Sequence, residues 1–219
     1  MRRLLFVTAV LNPVSLAAQC SSTLYSSGTF GIAQGASGTA QYVVYMPQPS
    51  TCFNGDVIVF AHGYIPPASP SNAWLSQLML PDGTSIPALA NGLGFGFAAS
   101  GFSKDGLAIL QGIQDTKALT NVIQGLSIPV HKYFATGASE GGLIAAKLIE
   151  EGHSFAGGVA VCGPVGNFQK QINYFGDVRV LFDYFFPGVL TSAGGSAVDI
   201  PPALLANWTT VYELAIAAR

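Results

Sequence analysis

Charge is scarce in this chain. Of its 219 residues, 9 are Lys or Arg and 11 are Asp or Glu, 9% in all. An ordinary soluble domain carries about 25%. No basic cluster lies beyond Arg2-Arg3. A nucleic-acid groove needs a basic stripe, so nucleic acid is excluded as a partner. Histidine and cysteine are equally sparse, three of each. No Cys-x-x-Cys and no His pair has metal-ligand spacing, so no metal and no other cofactor is expected. No apolar run approaches the roughly 20 residues of a membrane span. Internal repeats are absent as well. Disorder is excluded from the opposite side, because half the residues are hydrophobic and mean hydropathy is +0.45. What is plentiful is Gly (26), Pro (13) and Phe (14), the composition of a dense core threaded by turns.

The first twenty residues have their own pattern. Met1-Arg2-Arg3 is basic, Leu4 to Leu11 is apolar, and Ser15-Leu16-Ala17-Ala18 is small. That order is an export leader, cut after Ala17 or Ala18. An N-terminal strand and a lipidated Cys20 are the competing readings; Gln19 disfavours the second. Without Arg2 and Arg3 the chain has 7 basic and 11 acidic residues. A secreted or periplasmic protein meets an oxidising compartment, where Cys20 and Cys52 can bridge. Cys162 follows an apolar run and is expected as a buried free thiol.

Strand and helix patterns then alternate. Strands are predicted at 41–46, 56–61, 95–99, 131–136 and 155–162. Asp56 to Ala61 (DVIVFA) reads as a strand buried on both faces. Helices are predicted at 73–80, 86–93, 107–124 and 140–151. In the third, Leu107, Leu110, Ile113, Leu119, Val122 and Ile123 recur at helical spacing. Asp115 to Lys117 reads as its solvated face. Residues 21–40 read as loop or edge hairpin. Alternation of this kind predicts an α/β fold, a mostly parallel sheet with helices on both faces. The domains expected are a leader (1–18), a core (19–162), a helical aromatic-rich insertion (163–200) and a C-terminal part (201–219) with a last helix from Pro201 to Ala218. Asn207-Trp208-Thr209 is a glycosylation sequon in a eukaryotic host.

One motif carries chemistry. Gly137-Ala138-Ser139-Glu140-Gly141 is a G-x-S-x-G between a predicted strand and a predicted helix. Such a turn lifts a serine hydroxyl off the end of a sheet, and its glycines remove side chains that would collide. The helix that follows aims its N–H groups at the same point. A second turn, His62-Gly63-Tyr64, ends the buried strand 56–61. Backbone N–H groups of Tyr64 and Glu140 are the expected donors of an oxyanion hole, one such donor being worth roughly 3–4 kcal/mol of barrier. The His62 side chain is read as structural.

DVIVFAHGY (56–64) and YFATGASEGG (133–142) resemble the α/β-hydrolase superfamily. CGPVGNFQKQINYFGD (162–177) with FDYFFPG is similar to the cap of secreted serine hydrolases of the esterase and prolyl-oligopeptidase-like branches. The resemblance implies acyl transfer by Ser139, with an acid and then a histidine later in the chain. No later histidine fits. His153 lies fourteen residues on, roughly 20 Å along a helix at about 1.5 Å per residue. His131 lies eight residues back, about 26 Å along a strand at about 3.3 Å per residue. Asp177, Asp183 and Asp199 fall in or just after the expected cap. The chain therefore reads as the first two-thirds of such a hydrolase, with acid and histidine expected beyond Arg219. The expected function is a secreted serine hydrolase of a small carboxylic ester with an apolar acyl or aryl group. A peptidase of the same branch, or a degenerate fold that binds an apolar ligand, is the alternative.

Overall fold

The computed structural model describes residues 20–31, 38–152 and 154–189, with 207, 209, 210, 213 and 217 beyond them. The expected leader, His153, Asp199 and most of the expected last helix lie outside the described residues. The chain divides into two compact units, Met1–Gly163 and Pro164–Arg219.

The first unit is built on one six-stranded sheet. Its strands are β1 (Ser21–Gly31), β2 (Thr39–Gln48), β3 (Asp56–Ala61), β4 (Gly96–Gly101), β5 (Lys132–Ala138) and β6 (Phe155–Val161), in the order β1-β2-β4-β3-β5-β6. From β4 through β3 and β5 to β6 all pairs are parallel. β2 joins β4, and β1 joins β2, in antiparallel fashion. The Ser-rich segment read as loop or edge hairpin is thus in part an edge strand. Disulfide Cys20–Cys52 ties its start to the short 3-10 turn Ser50–Cys52 before β3.

Side chains of β3 alternate between two apolar layers, which is why DVIVFA has no polar face. Val57 and Val59 meet Leu119, Ile123 and Tyr133 on one side. Phe60 meets Trp74, Leu78, Ala90 and Phe97 on the other. Helix α1 (Ile86–Gly92) and the 3-10 segment Ala73–Leu78 supply the second layer. Helices α2 (Ile109–Gly125) and α3 (Glu140–Glu150) supply the first, with Ile113, Ile144 and Leu148 closing it near Ala61 and Ala135. Burying each large aliphatic side chain contributes roughly 1.5–3 kcal/mol. The carboxyl ends of β3 and β5 therefore rise from a rigid floor. Beside α1, the sheet face at β5 and β6 bears an apolar groove of about 420 Å³ lined by Ile58, Phe95, Phe134, Thr136, Gly157 and Val159, among others.

Three expectations change. Leu107 and Leu110 are 57% and 79% exposed, because α2 starts at Ile109 and its inner stripe begins only at Gly112 and Ile113. Asp115 is fully buried rather than solvated. Its carboxylate accepts the Ser103 N–H at 2.7 Å, the Ser103 hydroxyl at 3.0 Å and the Gln111 amide at 3.1 Å. Those bonds replace the water a buried carboxylate would lose. Cys162 is exposed rather than buried. β6 is the outermost strand, and its last residues are exposed too.

The second unit contains helix α4, Phe168–Phe185. Asn167 opens it, its side chain accepting the Lys170 N–H at 3.0 Å. Arg179 and Asp183 pair across one turn, the arginine Nε donating to both carboxylate oxygens. Phe182 and Phe186 pack with ring centres 4.9 Å apart and planes tilted by 36°. Among the described residues, no helix of either unit is long and apolar enough to cross a membrane.

Candidate active site

Two turns meet at the carboxyl end of the sheet. Parallel register puts Ala61 beside Gly137, so His62 and Ser139 leave neighbouring strands at the same level. The close approach is at Gly63. A Cβ placed there would come 3.3 Å from the Ala138 carbonyl and 3.5 Å from Ser139 Cβ. The opposite end of the same pair holds Gly55 and His131, whose N–H bonds the Gly55 carbonyl. His131 is therefore remote from Ser139, as the strand length requires.

The Ser139 turn is a piece of strained backbone. Ser139 has φ +56° and ψ −121°, a left-handed conformation that few non-glycine residues adopt. Such a residue costs about 1–3 kcal/mol, held in place by its surroundings. Here the surroundings are glycines. A Cβ on Gly137 would lie 2.6 Å from the Ala61 carbonyl oxygen, and one on Gly141 would be 2.6 Å from that of His62. The Ser139 N–H bonds the Val161 carbonyl at 2.9 Å, fixing the turn to β6. The side chain that results is exposed, at the start of α3.

Glu140, next in the chain, turns inward. It is 4% exposed, and its Oε1 accepts the Ala108 N–H at 2.5 Å. Burial pushes its carboxyl pKa up; the Ala108 bond opposes the shift. Glu140 thus ties α3 to the residue that precedes α2.

The His62–Tyr64 turn is held differently. His62 is buried, with its ring stacked on Phe102 at 3.9 Å between centres. Its Nε2 accepts the Phe102 N–H at 3.2 Å, so the ring proton resides on Nδ1 and is donated to the Gly63 carbonyl at 2.6 Å. Burial pushes the imidazole pKa below its ordinary value, against the smaller pull of the Gly63 bond and of Asp105. Both ring nitrogens are engaged, so this histidine has no lone pair free for Ser139. Gln77 contributes two more bonds. It accepts the Gly63 N–H at 2.6 Å and donates to the Tyr64 carbonyl at 3.2 Å. The Ile65 carbonyl accepts the Gly106 N–H at 2.8 Å.

The segment 102–108 links the two turns. Phe102 engages His62, Gly106 engages Ile65 and Ala108 engages Glu140. Asp115 anchors Ser103 in between. The structure thus brings together Ser139, Gly137, Gly141, Glu140, His62, Gly63 and Tyr64. The N–H groups of Tyr64 and Glu140 have no acceptor among the described residues. Sequence reasoning missed Gln77, Phe102, Ala108 and Asp115. Each acts across a gap in sequence, from 12 to 40 residues, and no local pattern announces it.

No protein-family model matches the sequence, and no curated protein matches it. Solved structures do. The ligand-bound rice cell wall degrading esterase LipA from Xanthomonas oryzae aligns with a TM-score of 0.53 and 16% identity, over 88% of this chain and 63% of that one. The esterase Pf2001 of Pyrococcus furiosus aligns with a TM-score of 0.50 and 14% identity, over 85% of this chain and 59% of that one. The chain thus spans less than two thirds of either relative's length. At such identity, what is shared is architecture. The sheet and its helices have the α/β-hydrolase fold.

Proposed function

We propose that the protein is a serine hydrolase that cleaves a small carboxylic ester by acyl transfer through Ser139. The observation that carries the reading is the strained, exposed Ser139 set against the Gly63 turn. In this reaction Ser139 Oγ attacks the ester carbonyl carbon while its proton passes to a base. The carbonyl oxygen becomes an oxyanion, bonded by the N–H groups of Tyr64 and Glu140. Collapse expels the alcohol and leaves an acyl-serine, which water then cleaves. An exported protein is part of the reading, supported by the basic, apolar and small residues of 1–18 and by the Cys20–Cys52 bridge. The aromatic-rich sequence of 168–186 supports an apolar acyl or aryl group as substrate.

A second reading has one observation in its favour. Of the two described histidines, His131 is at the wrong end of β5 and His62 has both nitrogens engaged. Without a base a serine hydroxyl is a weak nucleophile. A fold that binds an apolar ligand without turnover would have this arrangement. Hydrolysis of p-nitrophenyl esters of increasing acyl length, with Ser139→Ala as control, separates the two. Turnover that Ser139→Ala abolishes supports the hydrolase. Turnover unchanged by Ser139→Ala removes Ser139 from the chemistry. Saturable binding of the ester without turnover selects the second reading.

A further inference from the structure

We infer that Gln77 is a positioning residue of the oxyanion turn, one that fixes the direction of the Tyr64 N–H. The inference rests on the serine-hydrolase reading above. Gly63 and Tyr64 carry two N–H and two C=O groups. Gln77 Oε1 takes the Gly63 N–H, His62 Nδ1–H takes the Gly63 carbonyl, and Gln77 Nε2 takes the Tyr64 carbonyl. Only the Tyr64 N–H is left for a ligand.

The peptide planes make this directional. In a trans peptide the C=O of one residue and the N–H of the next point opposite ways. Holding the Gly63 carbonyl on His62 therefore turns the Tyr64 N–H to the other side. Gln77 holds the planes before and after that one, through the Gly63 N–H and the Tyr64 C=O. Three successive planes are thereby held: a flip of the middle one would break the His62 bond, and the Gln77 bonds on both flanks resist the backbone shift a flip needs.

Gln77 is itself well anchored. It lies in the 3-10 segment Ala73–Leu78, whose Trp74 and Leu78 are 4% and 5% exposed in the layer with Phe60 and Phe97. Its Oε1 is also the nearest atom to a Cβ built on Gly63, at 3.1 Å, ahead of Ala138 and Ser139. The clamp and the nucleophile therefore both approach the same glycine. The clamp needs an acceptor and a donor on one planar group, which a primary amide supplies and a carboxylate does not.

The experiment uses the 219-residue chain with p-nitrophenyl butyrate, comparing wild type, Ser139→Ala, Gln77→Leu and Gln77→Glu. In Gln77→Leu, kcat should fall on the order of 10- to 100-fold with little change in KM, the usual effect of displacing a catalytic donor by a fraction of an ångström or more. Gln77→Glu should fall at least as far despite its matching shape. Its carboxylate faces the Tyr64 carbonyl without a proton to donate and places negative charge beside the developing oxyanion. A purely structural role predicts the reverse, with Gln77→Glu near wild type and kcat tracking the thermal midpoint. Wild-type kcat in Gln77→Leu, with Ser139→Ala inactive, overturns the inference and leaves the hydrolase standing. If Ser139→Ala does not lower turnover, the hydrolase reading fails; in that case, or where wild type shows no turnover, the clamp is read from amide exchange. Faster exchange of the Gly63 N–H in folded Gln77→Leu then supports the clamp, and unchanged exchange overturns it.

Discussion

The two turns at the candidate site are built by opposite means. Around Ser139 the backbone does the shaping: glycines at 137 and 141 admit carbonyls where side chains would collide, and Ser139 takes up the strain. Around Gly63 side chains do it: His62 and Gln77 hold peptide groups that would otherwise choose their own direction, and the Phe102 N–H holds the His62 ring. The first device is contiguous in sequence and cannot be altered without moving strands. The second is assembled from three separate segments and can be loosened one bond at a time. Stability should therefore depend more on the first turn, and fine positioning more on the second.

The largest effect should come from Gly141→Ala. Its new methyl would collide with the carbonyls of Ala61, the last residue of β3, and of His62, which follows it. Overpacking against backbone should cost about 3 kcal/mol or more, seen as a lower urea midpoint. Gly63→Ala meets its nearest neighbours at 3.1–3.5 Å and should cost about 1 kcal/mol in stability. Its ester turnover should nevertheless fall by roughly tenfold or more, because the clamp is pushed off Gly63. Equal stability losses in the two alanine variants would erase the contrast.

Glu140 sharpens it further. Glu140→Ala leaves the buried Ala108 N–H without its acceptor, which should cost about 1–3 kcal/mol. Glu140→Gln keeps an acceptor and should be nearly neutral or stabilising at pH 7. The sign follows from burial. The folded carboxyl has a raised pKa, so its contribution is full at low pH and fades as pH rises through that raised value. Gln has no such loss. Denaturation of both variants at neutral pH checks the order.

The smallest effect should be the pH slope from His62. Burial lowers its folded pKa below 6.5. As pH falls through 6.5 the unfolded chain takes up a proton before the folded one. Stability from this group is therefore full above 6.5 and declines below it. Glu140 and Asp115, both raised by burial, oppose the trend where carboxyls titrate. Melting curves of wild type and His62→Asn across this range should show a weaker acid-side decline in the variant.

What could be read from the sequence follows the same division. DVIVFA has its strand bounds in full, because a strand buried on both faces leaves no polar interruption. G-A-S-E-G announces its own turn, since the chemistry and the glycines it requires are adjacent. The Ser-rich β1 hid as a loop because an edge strand with most side chains exposed has no apolar alternation to show. Asp115 passed for a solvated residue because its partner Ser103 comes close only when the loop folds back on α2, while Gln111 sits one turn away on α2 itself. Cys162 passed for a core thiol because apolar sequence does not tell an outer strand from an inner one. Gln77 gave no signal, lying fourteen residues past the turn it clamps.

The most direct test of Ser139 is covalent. The folded chain would be treated with a fluorophosphonate and its intact mass and labelled peptide determined. The account predicts a single adduct, on Ser139, lost in Ser139→Ala and formed more slowly in Gln77→Leu. No adduct on the folded protein, or an adduct at another residue that survives Ser139→Ala, would contradict it.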